Sequence, residues 1–327
     1  MGNSSMCKKN VEDNGEVVFH NKYLTDNKVA SINPTSTYSG KERLNEPPES
    51  IAIQIDGVTI DSLIGDDVKG LLKQKGYENS IMKELFFHFS IFKKCYRYNE
   101  TNEVFCGYFD EQGNKDRWGR QVWHDGSYYE GNFKSGKIEG YGRLINHNLE
   151  IYEGYWKDNQ ANGDGVSINK EGIIYKGSFK NNEPHGEGVE EWPDGTVYDG
   201  NFLNGKKSGH GLFTWVDGAK YKGEFANDEF NGYGIYKWAD GRIYEGEFKN
   251  NQMNGYGVFK WPNGQIFKGL YKNDLKHGYG EFQWVNNYCF HGEYIDGKKQ
   301  GEGLIIAPDG QKRRGIWDKD KLIRWLD

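Results

Sequence analysis

Gly-x-Gly pairs recur along this chain, as in Gly232-Tyr233-Gly234 and Gly255-Tyr256-Gly257, and on residue type alone such pairs could cradle a phosphate. A phosphate loop follows a strand and opens a helix, whereas these pairs run on into aromatic residues, so a nucleotide reading fails on context. His185 and His277 precede Gly186 and Gly278, where sister segments carry Asn162, Asn231 and Asn254. Asn and His share a tolerance for left-handed backbone, which makes turn geometry a better account of them than metal ligation. His88 stands beside Phe86 and Phe89 with no companion ligand near it in sequence, and reads as a packed histidine. Acidic residues occur singly at equivalent positions, as a solvated face would place them, and form no paired acid/base site. There is no nucleophile elbow and no kinase signature. The expectation is a protein with no catalytic residues, no cofactor and no metal.

Four cysteines offer a different chemistry: Cys7, Cys95, Cys106 and Cys289. They form no CxxC pair and no secretory apolar segment precedes them, so free thiols in a reduced, cytoplasmic setting are expected, although a short hairpin would make Cys95 and Cys106 neighbours. At the N-terminus, Met1-Gly2-Asn3-Ser4-Ser5-Met6-Cys7-Lys8-Lys9 is similar to an N-myristoylation signal with Gly2 as acceptor, and Met6 stands where that signal has Ser or Thr. Cys7 could carry a second acyl chain and Lys8 and Lys9 could meet anionic lipid, which matters because one myristoyl chain anchors only marginally. No apolar run approaches the roughly 20 residues of a membrane-spanning helix.

The elements that position these residues follow from a period. In Tyr244-Glu245-Gly246-Glu247-Phe248 a glycine lies between two rings, and its equivalents Gly131, Gly154, Gly177, Gly200, Gly223, Gly246, Gly269, Gly292 and Gly315 are 23 residues apart at every step. Gly107 leads them by 24. A fixed period of this size marks a repeat architecture. Side chains of a strand alternate faces, so Tyr244, Gly246 and Phe248 share one side and Glu245 and Glu247 the other. The missing side chain of Gly246 leaves a slot that a ring of a neighbouring repeat is expected to fill. The second element of each repeat, Gly255 to Trp261, has the same parity and puts Gly257, Phe259 and Trp261 together. Between the elements, the Asn-rich stretch Lys249 to Asn254 supplies the left-handed residues of a hairpin loop, and Pro262-Asn263-Gly264 closes the next turn. Two antiparallel strands per repeat make one long twisted sheet of about 19 strands, extending roughly 90 Å.

Composition agrees. The chain has 45 Gly and a 15% aromatic share against 35% hydrophobic residues overall, which suits a thin structure built on rings better than a thick aliphatic core. Net charge is −6, and from Phe105 onward 29 Lys+Arg face 33 Asp+Glu, which is no nucleic-acid footprint.

The aromatic-x-Gly-x-aromatic, Gly-x-Gly, aromatic-pair pattern resembles the MORN (membrane occupation and recognition nexus) repeat, over Phe105 to about Asp318, in nine full copies and a partial one. Two departures fall at the ends: Arg117 where the leading Gly of Gly-x-Gly belongs, and Arg313 where an aromatic belongs. The resemblance implies an all-β, elongated, single-layer antiparallel sheet of stacked hairpins. It also implies a non-enzymatic scaffold or adaptor of the radial-spoke type, set in a cilium, axoneme or other cytoskeletal assembly. The alternative is an acylated tether that links a membrane to such partners through Gly2 and Cys7.

Outside the array, residues 1–50 are polar and read as disordered. Residues 51–104 read as a small α/β cap: a hairpin through Asp56-Gly57, a helix starting at Asp61 or Ser62, a second starting at Asn79 or Ser80, and then Tyr96–Tyr98 paired with Val104–Tyr108. Residues 319–327 read as a tail. For binding, a single-layer sheet cannot cover both faces, so its rings should remain partly exposed. Phe213, Trp215, Tyr236, Trp238, Phe259, Trp261, Phe282 and Trp284 keep the 23-residue step, whereas the early equivalents of the tryptophans are Asn146 and Asn169. These eight residues are the expected groove for a helical or extended segment of a protein partner, with packing between repeats as the competing account. A homodimer is compatible with the same features.

Overall fold

The computed structural model describes residues 52–55 and 95–326. The strands they form make a single 22-stranded sheet, and among the described residues there is no helix. Each strand pairs antiparallel with the strands before and after it in sequence, as Glu229–Lys237, Ile243–Lys249, Gln252–Lys260 and Ile266–Lys272 do. The array is thus an uninterrupted meander.

Two turns alternate along it. Lys249 pairs with Gln252 across Asn250-Asn251, whose φ of 49° and 64° are the positive values a two-residue hairpin loop of matching twist requires. At the other end of the hairpin, the Gly264 N–H donates to the Trp261 carbonyl at 2.9 Å and the Trp261 N–H donates to Gln265 at 2.9 Å. The loops also tie repeat to repeat: the Asn251 N–H donates to the Phe230 carbonyl at 3.1 Å, and the Phe230 N–H returns a 2.8 Å bond to the Asn251 side chain.

The central glycines face one another across every strand pair, Gly234 to Gly246 to Gly257 to Gly269, in a row that runs from Gly107 to Gly315. A Cβ on Gly246 would lie 2.5 Å from the Cα of Gly257, so the spine has no room for one. The slot is filled differently from expectation. Tyr244 lies along its own hairpin, 2.4 Å from where a Cβ of Gly257 would be, and its hydroxyl donates to the Glu247 carbonyl at 3.0 Å. A ring two residues before the glycine, on the same face, reaches it without crossing to another repeat, and the bulge between Gly246 and Phe248 presents the carbonyl.

The neighbouring repeat supplies the edge instead. Tyr244 meets Phe248 at 5.0 Å and the next repeat's Tyr271 at 5.2 Å, both edge-on, and Tyr221 meets Phe248 in the same way. This herringbone continues to Phe290 and Trp317 and is the core of the molecule. A single layer can therefore bury Tyr244 fully, because the glycine row admits the ring and the next ring covers it.

Three expectations are corrected by the strands. Lys321–Trp325 is a strand paired with Lys312–Asp318, where a tail was expected. Arg117 adopts a φ of 58°, so the missing glycine is replaced without change of backbone path. Cys95 and Cys106 are joined in a disulfide, where free thiols were expected: Tyr96 pairs with Phe105, which sets the two cysteines opposite each other with Cα atoms 4.3 Å apart. His185, His277 and Asn254 do not adopt left-handed backbone; the glycines after them do, with φ of 81°, 84° and 108° at Gly186, Gly278 and Gly255. Near the N-terminus, Ala52–Ile55 pairs with Cys95–Tyr98, and Tyr96 and Arg97 pair with Phe105 and Val104 as expected. The Asp56-Gly57 hairpin, both helices of the expected cap, His88, the 1–50 tail, Gly2 and Cys7 lie outside the described residues.

Candidate protein-binding face

The second ring of each strand pair builds a second file beside the herringbone. From Trp192 it passes to Phe213 (5.4 Å), Trp215 (4.6 Å), Tyr236 (5.2 Å), Trp238 (4.3 Å), Phe259 (5.3 Å), Trp261 (4.4 Å), Phe282 (5.7 Å) and Trp284 (5.1 Å). All eight residues singled out by spacing are in this file, which is continuous. Phe259 lies opposite Tyr244 and two residues before Trp261, so strand parity alone sets both rings on the herringbone face. Tyr236 and Phe259 are buried while the tryptophans and Phe213 and Phe282 are half-buried. The file therefore packs on the core with one side and offers the other.

In the repeats of Gly131 and Gly154 the tryptophan position, which the first repeat fills with Trp123, holds polar residues that bend the chain instead. Asn146 accepts the backbone N–H groups of Asn148 and Glu150 at 3.0 Å each, and Asn169 accepts that of Ile173 at 2.9 Å. There the aromatic file is absent.

A further position has no aromatic signature in the sequence. It opens the second strand of each hairpin and points between the two files: Lys115, Ile138, Ala161, Pro184, Lys207, Phe230, Met253, Lys276 and Lys299. Lys207 lies 4.8 Å from the centre of the Trp192 ring and pairs with Glu190. Lys299 lies 5.3 Å from Trp284 and 3.8 Å from Asp320. Lys276 lies among Phe282 (4.7 Å), Phe267 (4.9 Å), Trp261 (5.2 Å) and Tyr294 (5.7 Å). Burial holds its ammonium down to a pKa of about 8, and the charge of Lys299 pushes the same way. The signal available in sequence was the same 23-residue step, unused because the residue type varies.

The opposite face differs between the ends of the array in its charged residues. Tyr233, Tyr256 and Tyr279 are exposed there, one per repeat, as are Tyr141 and Tyr155 in the early repeats. In the first repeats, by contrast, Glu130 is buried between Arg120 at 3.5 Å and Arg143 at 3.8 Å, accepts the Tyr128 hydroxyl at 2.9 Å, and Arg143 continues to Glu153. Burial raises the Glu130 carboxyl above its ordinary range, and the two arginines offset only part of that rise. The reading of every acidic residue as solvated is corrected here. The doublet Tyr128-Tyr129 carried the signal, since adjacent strand residues point to opposite faces and both are buried.

Among the described residues no group of three or more His, Cys, Asp or Glu is placed to hold a metal ion, and no helix is long and apolar enough to cross a membrane.

Among solved structures, the TCP10 domain of Danio rerio CPAP is similar at 13% identity, with 64% of this chain and 99% of that chain covered and a TM-score of 0.37. The SAS-4 (dCPAP) TCP domain of Drosophila melanogaster, solved with a proline-rich motif of Ana2, gives 12% identity, 54% and 90% coverage and a TM-score of 0.30. Likenesses at these scores carry no argument about this chain. No curated protein matches it. The MORN repeat model matches residues 129–148, 152–169, 175–197, 198–220, 221–241, 244–266, 267–287 and 290–312, more than half of the chain, in the same frame as the hairpins described above. The chain belongs to the MORN repeat family.

Proposed function

We propose that this protein is a scaffold whose aromatic file, from Phe213 to Trp284, takes a helical or extended segment of a protein partner. MORN repeats suggest a protein-binding scaffold in general. The observation that supports this site is the half-burial of a continuous row of tryptophans in a fold whose core, the Tyr–Phe herringbone, is complete without them. A ciliary or cytoskeletal assembly in the cytoplasm is the proposed setting, and it rests on the family alone. Trp238→Ala and Trp261→Ala test the site when partner capture and thermal melting are measured together. Loss of capture with the fold retained is the expected result; loss of folding without selective loss of capture would return these rings to packing alone.

A second reading is carried by Gly2, Cys7, Lys8 and Lys9: an acylated N-terminus that holds the array against a membrane. Intact mass of the native N-terminus decides it, because an unmodified Gly2 removes the anchor.

A further inference from the structure

Four lysines occupy the position between the two aromatic files, and three of them have a carboxylate at hand. Lys115 has Glu103 at 3.9 Å, Lys207 has Glu190, and Lys299 has Asp320 at 3.8 Å. Among the described residues no carboxylate oxygen comes within 4 Å of the Lys276 ammonium, whose surroundings are the four rings already named. Ring faces attract a cation but replace only part of the water it has lost. The place where Lys207 finds Glu190, seventeen residues earlier in the chain, is taken for Lys276 by Phe259. Lys299 is one repeat away and adds a second positive charge, and the acidic group that acts on the pair, Asp320, lies 3.8 Å from Lys299. The C-terminal part of the file, at Trp261, Phe282 and Trp284, is therefore apolar with an ammonium in its floor that has no carboxylate in ion-pair contact.

Resting on the groove reading above, we infer that the partner segment is acidic as well as apolar: it places an Asp or Glu side chain, or a C-terminal carboxylate, onto Lys276 while its apolar side chains lie on the tryptophans. Charge complementarity selects this occupant over a basic or neutral one, since a cation brought to the same place would meet Lys276 and Lys299 with like charge. The geometry also accounts for a lysine at a position where Met253 and Phe230 serve the neighbouring repeats as apolar filling.

The test pans a randomised library of short peptides on the full chain and on its Trp238→Ala, Lys276→Met, Lys276→Arg and Lys276→Glu variants, each checked for folding by its melting curve. Peptides that bind the parent chain and are lost on Trp238→Ala, which does not touch Lys276, define the groove. They are expected to carry an acidic residue at one fixed distance from their apolar anchors, to bind Lys276→Met at least about tenfold more weakly, and to keep their preference on Lys276→Arg. Changing that residue to its amide should weaken binding to the parent chain but cost nothing further on Lys276→Met. Lys276→Glu should select a basic residue there. Groove peptides with no acidic preference, or a preference that survives Lys276→Met, overturn the inference and leave the groove standing. The absence of any Trp238-dependent peptide overturns both.

Discussion

Asn146 and Asn169 in the early repeats stand where Trp192, Trp215, Trp238, Trp261 and Trp284 stand in the later ones, yet the strands, registers and glycine row of the two regions are the same. The asparagines turn their side chains to the turn, while the tryptophans leave that bond to the Asp or Asn two residues on, as in Asp217 and Asp240, and lay their rings over the core. On the other face both regions expose tyrosines, Tyr141 and Tyr155 early and Tyr233, Tyr256 and Tyr279 late, and the early region alone buries the charged set Glu130, Arg120 and Arg143. The difference teaches that the hairpin scaffold and its surfaces are separable: the Tyr–Gly–Phe core tolerates either kind of face because it is closed by its own rings.

The comparison can be broken at its shared part first. Gly165→Val and Gly257→Val should be equally destructive, at roughly 4 kcal/mol or more, because a Cβ at either site meets its own repeat's tyrosine ring at 2.7 and 2.4 Å. Urea unfolding midpoints check this, and a mild effect in one region alone would mean that the spine is not common to both. Next in size, Glu130→Ala leaves Arg120 buried without its carboxylate and should cost about 3 kcal/mol, whereas Glu245→Ala, at the equivalent half-exposed position of the later region, should cost under about 1 kcal/mol. Trp238→Ala should cost about 2 kcal/mol through lost packing against Tyr236 and Phe259, and Asn169→Ala, which removes one turn bond, about 1 kcal/mol.

The smallest effect has the opposite sign. Lys276→Met should stabilise the free protein by about 1 kcal/mol at neutral pH, since it removes a charge held in an apolar setting. The folded-state pKa of Lys276, about 8, lies below the ordinary lysine value of 10.5, so between these values the unfolded chain binds more protons and the native state gains stability as pH rises. Below pH 8 the penalty is present in full. The stability difference between Lys276→Met and the parent chain should therefore shrink from pH 8 to 10.5 in denaturant titrations. A difference that stays constant would show that the ammonium is not held down by burial.

How far this was legible in sequence depends on the range of each interaction. Tyr244, Gly246 and Phe248 show their shared face directly, because alternation along a strand is a property of the strand itself, and the 23-residue step then carries the face along the array. Asn250-Asn251 announces its turn for the same local reason. The file from Phe213 to Trp284 was legible as a row, since identical parity in every repeat requires it.

What tertiary structure alone decided involves segments brought together by pairing. Whether Gly246 is covered by its own ring or a neighbour's turns on a bulge and a carbonyl, and both readings share one parity. Glu130 and Glu245 occupy equivalent positions, and only the surroundings make one buried and the other half-exposed. Cys95 and Cys106 meet because two strands pair in one register and not another. Lys207 and Lys276 are the same residue type at the same step, distinguished by whether other strands bring a carboxylate, Glu190, or only rings such as Phe282 and Phe267. By itself the sequence determined the repeat, its strands and its ring-bearing face, because those follow from local alternation and a constant period. The burial and partnering of each charged or sulfur-bearing group belonged to the tertiary structure, because desolvation and bonding depend on neighbours that sequence spacing does not name.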